Sequence, residues 1–139
     1  MMRAEMQSPA AGGNILNISQ SRPWLAPLAG FSDLAFRLLC REHGADVAVT
    51  EMVSAKGLLF ESKGTHRLLD TSSADDPVVV QLFGSSPANL ERASELVLGQ
   101  GFEYLDLNLG CSVPKVVKTG SGAALMLDPG TILEIGRRM

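Results

Sequence analysis

Apolar and polar positions fall into a repeating rhythm from Trp24 onward. Trp24-Leu25-Ala26-Pro27-Leu28 is a short apolar run closed by Ala29-Gly30, which predicts a strand and a turn. Ser32 and Asp33 are helix-capping residue types. Leu34, Phe36, Leu38 and Leu39 follow as an apolar stripe, so a helix is expected to end near Gly44. Asp46 to Thr50 predicts a second strand, Ser54 to Phe60 a helix or loop, and His66 to Leu69 a helical turn. Asp75-Asp76-Pro77 punctuates before a third strand, Val78 to Phe83. Ser86-Pro87 opens a helix with proline at its first position, running through Leu90, Ala93, Leu96 and Val97 to Gly99. Tyr104 to Asn108 is the fourth predicted strand. A long loop, Leu109 to Gly122, separates it from a last helix from Asp128-Pro129 to Arg138.

Strands and helices therefore alternate four times, and the strands read as near-continuous apolar runs. That is the pattern of a parallel sheet covered on both faces, an α/β fold. Periodicity alone does not choose between a doubly wound sheet and a barrel. Pro27, Glu51, Gln81 and Asn108 with Cys111 all fall at or just after strand C-termini, the functional side in either architecture. The glycine fingerprints of dinucleotide and P-loop sites do not occur in the sequence.

Composition narrows the picture further. At 139 residues the chain suits one domain, and 45% hydrophobic with 19% charged residues is an ordinary globular balance. Residues 1–22 are rich in Ala, Gly, Ser and Asn and predict a flexible leader to a domain over 23–139. No apolar run approaches the roughly 18 residues of a membrane span, and the first 20 residues lack the pattern of a secretory signal. Asn17-Ile18-Ser19 is then a chance match to a glycosylation acceptor. Cys40 and Cys111 stand far apart, without a second Cys or a His at metal-ligand spacing, so we expect free thiols, no metal and a cytoplasmic setting. A formal net charge of -3 argues against a broad basic face, so any nucleic-acid contact must be local or lie elsewhere.

At this point several runs become recognisable together. Leu25-Ala26-Pro27-Leu28-Ala29-Gly30-Phe31-Ser32-Asp33 with Phe36-Arg37, Thr50-Glu51-Met52-Val53-Ser54-Ala55, and Val80-Gln81-Leu82-Phe83-Gly84 occur in that order. The most specific block is Asp106-Leu107-Asn108-Leu109-Gly110-Cys111. Pro114-Lys115-Val116-Val117-Lys118 and Gly120-Ser121-Gly122-Ala123-Ala124-Leu125 continue it. From Leu25 onward the chain resembles the N-terminal half of the tRNA-dihydrouridine synthases, and Val113 to Lys118 is most like their bacterial DusB-type branch. The resemblance implies a (β/α)8 barrel of which about four βα units are present here. It also implies FMN as cofactor, NADPH as reductant and tRNA as partner. Hydride passes from the flavin to C6 of uracil and an acid protonates C5.

By resemblance that acid is Cys111. A thiol suits the task, since an ordinary pKa of about 8.5 keeps it protonated at neutral pH yet ready to release a proton. The plainer reading is a small buried hydrophobe. Pro27, Leu28 and Ala29 match the flavin-contacting segment, where small residues let the main chain approach the ring; without the resemblance they are an ordinary strand-helix turn. Gln81 can donate and accept hydrogen bonds, as flavin's edge requires, or simply satisfy a structural need. Asn108 matches a position near flavin and uracil, or caps the strand-loop turn. Lys115 and Lys118 could meet tRNA phosphate or only solvent. Arg37 and Glu51 could form a buried pair or touch substrate. Cys40, on the apolar stripe, is expected in the core, and His43 and His66 on the surface. Ser112 and Ala35 stand where the family usually has proline.

A whole barrel needs eight strands and about 250 residues, with the phosphate site commonly after strands 7 and 8. The FMN phosphate site and a helical tRNA-binding domain are therefore expected outside this chain. Self-association through open barrel edges is also expected. The alternatives are a non-catalytic truncated remnant, or another FMN-dependent barrel oxidoreductase, a class that shares the architecture but not the Asn-Leu-Gly-Cys block.

Overall fold

Five strands join in one parallel sheet over residues 23–139, which the computed structural model describes. The expected leader and the Asn17 acceptor lie outside the described residues. The strands are β1 (Trp24–Leu25), β2 (Val47–Val49), β3 (Val53–Ser54), β4 (Val78–Phe83) and β5 (Tyr104–Leu107). Helices α1 (Leu34–Glu42), α2 (Ala55–Leu59), α3 (Lys63–His66), α4 (Pro87–Gly99), α5 (Pro114–Val117) and α6 (Pro129–Arg138) fall between and after them. Three-residue-per-turn helices occupy Arg67–Leu69 and Gly122–Leu127, and the expected loop from Leu109 to Gly122 is partly helical because α5 lies within it.

Strand order settles what periodicity left open. β1 pairs with β2, β2 and β3 both pair with β4, and β4 pairs with β5. The order follows the chain without the reversal that defines a doubly wound sheet. A singly wound parallel sheet with alternating helices is part of a (β/α)8 barrel, unclosed within this chain.

β2 and β3 are one barrel strand with an interruption. Val49 sits beside Val79, yet Val53 sits beside Leu82, so one extra residue lies in Thr50-Glu51-Met52. Such a bulge disrupts the ladder locally. The buried Thr50 repairs it: its hydroxyl accepts the Gln81 N–H at 3.2 Å and donates to the Glu51 carbonyl at 2.8 Å.

The sheet's two faces build two cores. Val78, Val80 and Leu82 face outward against Leu58 of α2, Leu90, Ala93 and Val97 of α4, and Ile135 of α6. Val47, Val49 and Val79 face the other way with Trp24 and Tyr104, forming the floor of the barrel interior. On that inner face the next residues up β4 and β5 are the register partners Gln81 and Asp106.

Helix ends follow their local chemistry. Asp33, Ser54, Ser86 and Asp128 each accept a backbone N–H at a helix start. The Thr131 hydroxyl, then its N–H, hold the Asp128 carboxyl below its ordinary range. A carboxylate lowered in the folded state stabilises above its unfolded pKa and loses that effect as pH falls through the lowered value.

Helix α1 corrects the sequence expectation. Its buried residue is Arg37, while Leu39 is 51% exposed and Cys40, expected in the core, is half-buried. Arg37 does not pair with Glu51. Its Nε donates to the fully buried Asp75 carboxylate at 2.9 Å, and its Nη1 and Nη2 donate to the Ser32 and Asp70 carbonyls at 2.8 and 2.7 Å. Arg41 takes the second Asp75 oxygen at 3.0 Å and reaches the Asp46 and Pro77 carbonyls. Burying the charges is offset because each guanidinium also satisfies loop carbonyls, strapping α1 to the segment entering β4. His43 is exposed as expected; His66 is half-buried.

Asp75→Ala would leave the Arg37 charge buried without its carboxylate. A loss of about 3–5 kcal/mol is expected, read as a lowered midpoint in urea denaturation. An effect near zero would mean the strap does not hold the fold.

Candidate functional site

Three segments meet at the C-terminal side of the sheet. The first is the turn between β1 and α1. Ser32, fully buried, accepts the Leu28 N–H at 3.0 Å and donates to the Leu28 carbonyl at 3.2 Å; the N–H groups of Phe31 and Ser32 converge on that same carbonyl. Gly30, with φ at +81°, directs its N–H to the Glu51 carboxylate. Glu51 thus leaves the bulge to clamp the neighbouring turn. The turn folds on main-chain bonds and leaves Pro27 and Ala29 lining a cavity.

The second segment is the facing pair of strand ends. Gln81 on β4 lies beside Asp106 on β5, and its Nε2 donates to Asp106 Oδ2 at 2.6 Å. Its Oε1 accepts from Asn108 Nδ2 at 2.8 Å. Asn108 continues the ladder through its own N–H to the Leu82 carbonyl, and its Oδ1 accepts the Cys111 N–H at 3.0 Å. Asp106, Gln81, Asn108 and the Cys111 main chain form one hydrogen-bonded relay.

The third segment is the loop beyond β5. The Cys111 carbonyl accepts the Ala123 N–H at 2.9 Å. That closeness requires glycine at 122: its φ is +62°, and a Cβ there would collide with the Cys111 oxygen. Cys111 is therefore fixed on both main-chain sides while its half-buried side chain carries a free thiol. Pro27, Ala29, Gln81, Asn108, Gly110 and Cys111 line one cavity of about 420 Å³.

Five residues singled out in the sequence, Pro27, Ala29, Gln81, Asn108 and Cys111, thus meet in one place. Leu28 does not line the cavity; its side chain is 44% exposed and its main-chain groups are spent on the turn. Lys115 and Lys118 lie exposed at and just beyond α5, outside the cavity wall. Sequence reasoning gave no role to Asp106, Thr50 or Gly122, and read Ser32 as a helix-capping type, a place that Asp33 takes. The signal for Asp106 was present: it shares strand parity with Asn108, two residues on, so both face the interior.

With this geometry in view, comparison with known proteins is informative. The family model for dihydrouridine synthase (Dus) matches residues 24–139. The chain belongs to the dihydrouridine synthase family. A probable tRNA-dihydrouridine synthase of Treponema pallidum is 38% identical over 113 residues, covering 81% of this chain and 33% of that protein. The tRNA-dihydrouridine synthase B of Pseudomonas aeruginosa is 38% identical over 111 residues, 80% of this chain and 33% of the relative. A probable tRNA-dihydrouridine synthase of Aquifex aeolicus is 33% identical over 121 residues, 86% and 38% respectively. The chain spans about a third of the length of these relatives.

Gly122→Ala should unsettle the Cys111 loop at a cost of about 1–3 kcal/mol from the left-handed backbone, with the collision adding to it. The check is a lowered denaturation midpoint together with a severalfold change in the rate of Cys111 alkylation. Gly136→Ala, inside α6 with open space around a Cβ, should instead be neutral or stabilise by about 0.5–1 kcal/mol.

Proposed function

We propose that this chain forms the first part of the catalytic barrel of a tRNA-dihydrouridine synthase, an FMN-dependent oxidoreductase that reduces the C5=C6 bond of uridine in tRNA. NADPH is the reductant and Cys111 the proton donor. The observation carrying this reading is the fixing of Cys111 at both its N–H and its carbonyl, on the wall of a cavity floored by two side-chain amides. A general acid needs that placement before it needs any particular pKa.

The residues present fit a planar ring. Pro27, Ala29 and Gly110 give a wall of small side chains, and the Gln81 and Asn108 amides give a polar floor. These residues would hold FMN, with Leu28 shaping the turn behind Pro27 and Ala29. Bound there, the reduced flavin would supply hydride to C6 of the uracil. Cys111 would then deliver its proton to C5, and Asn108, bonded to the Cys111 N–H, keeps donor and floor in one frame. Lys115 and Lys118 would offer positive charge to tRNA phosphate beside the mouth.

Cys111→Ala, with the chain completed to barrel length by the C-terminal part of the Pseudomonas aeruginosa relative, should lower dihydrouridine formation by roughly 10²- to 10⁴-fold while flavin stays bound. Near-full turnover on tRNA would remove Cys111 from the role.

The 139-residue chain alone leaves the outer edges of β1 and β5 unpaired among the described residues. Unpaired parallel edges and an uncovered inner face invite self-association. We expect this chain by itself to bind FMN weakly or not at all, to lack activity on tRNA, and to run as a dimer or larger species. Size-exclusion chromatography and an absorbance scan for flavin test this. A yellow monomer would overturn it.

A further inference from the structure

Asp106 is a carboxylate beside the proposed catalytic thiol's support, and neither the proton transfer nor the flavin floor uses it. Its place in the relay gives it a function. An ionised carboxylate accepts hydrogen bonds and donates none, whereas a primary amide can present either its oxygen or its nitrogen. The bond between Asp106 Oδ2 and Gln81, at 2.6 Å, therefore admits only the Gln81 nitrogen. That turns Gln81 Oε1 toward Asn108, which must answer with its nitrogen at 2.8 Å. Asn108 Oδ1 is then left facing the Cys111 N–H at 3.0 Å. A backbone N–H at one end and a carboxylate at the other allow the two amides one polarity and no other. Gln81 is only 6% exposed, so water competes little at the middle of the relay, while Asp106 and Asn108 are half-buried.

We infer that Asp106 is a positioning residue: acting through Gln81 and Asn108, it sets the polarity of the relay that holds the Cys111 main chain at the cavity. Its consequence for catalysis rests on the proposed role of Cys111, but its test does not. Reversing Gln81 would set oxygen against Asp106 and nitrogen against Asn108 Nδ2. If Asn108 reversed in response, its nitrogen would face the Cys111 N–H and release the loop on its β5 side, leaving only the Ala123 bond. The fixed polarity also leaves one N–H on each amide outside the relay, on two residues that line the cavity. The floor thus offers donors, matching carbonyl or ring-nitrogen acceptors on a bound ring.

The test is residue-resolved hydrogen exchange at the Cys111 N–H, made on this chain and on the chain completed to barrel length. Asp106→Leu keeps the side chain's size and removes the acceptor. Asp106→Asn keeps an acceptor oxygen without charge, which the Cys111 N–H at the far end of the relay still favours turning toward Gln81. Exchange at Cys111 should quicken roughly tenfold or more in Asp106→Leu, the scale of one lost charge-assisted bond. In Asp106→Asn it should stay within about threefold of the unsubstituted protein, since a neutral bond is about half as strong. Amides of the β4–β5 ladder should hardly change in either.

The inference is overturned by an unchanged Cys111 N–H in Asp106→Leu, by equal acceleration in both variants, or by acceleration shared across the ladder. If Asp106→Leu and Asp106→Ala both fail to fold, Asp106 is structural and the inference falls as well. Failure of the tRNA reaction would not touch this result, because exchange is read without turnover.

Discussion

The parallel register between β4 and β5 is the constraint on which the site depends. It places Gln81 beside Asp106, and the N–H of Asn108 on the Leu82 carbonyl carries the alignment one residue past the strand. Side chains in a strand alternate faces, so a slip of one residue by β5 would turn Asp106 and Asn108 away from the interior and from Gln81. The apolar content of the same strands guards against that slip. Val80, Leu82, Leu105 and Leu107 must face the helices, and Val79 and Tyr104 must face the barrel floor. Packing energy on the outer layer therefore fixes chemistry on the inner one.

Two further devices hold the neighbouring strands to that frame. The bulge at Thr50 lets the β2–β3 strand follow β4 along its length while releasing one residue. Thr50 covers the broken ladder position and Glu51 becomes the clamp on the β1–α1 turn. Asp75 works at the other end, gathering Arg37 and Arg41 and so joining α1 to the approach to β4. Both place an acidic residue where main-chain geometry departs from the regular βα unit. Each is satisfied by bonds to groups that would otherwise go unpaired.

Much of this was legible in the sequence, and the rest was hidden for identifiable reasons. Proline at 87 and 129, capping residues at 33, 86 and 128, and the apolar runs at 78–83 and 104–107 are local signals, and the elements form where they point. The block from Asp106 to Cys111 marked the candidate site through its resemblance to the family, with Asn108 and Cys111 also falling at a strand end. What did not show was long-range pairing. Arg37 finds Asp75 across 38 positions, while the nearer Glu51, an equally reasonable partner by type, is drawn to Gly30. The extra residue in Thr50-Glu51-Met52 is invisible because a bulge changes register without changing composition. The choice between a barrel and a doubly wound sheet was likewise not local, since it lies in which strands are neighbours.

The division of labour along the sheet explains why so short a chain can carry so much of the site. A parallel barrel strand delivers one or two inward side chains to the mouth before its loop begins, so a site there draws on several consecutive strands. Here the β1 turn supplies the wall, β4 and β5 the amide floor with its carboxylate, and the loop beyond β5 the thiol. The floor and the thiol loop are joined by direct hydrogen bonds, and the β1 turn is tied to the bulge through Glu51. Closing the barrel is a separate matter. Trp24 Nε1 is buried with no partner among the described residues, and it sits on β1, at the open edge of the inner face. A buried donor left unpaired is costly. Among the described residues, the amides of the candidate site and the Cys111 main chain are thus hydrogen-bonded, whereas the apolar floor beneath them carries an unpartnered donor on β1.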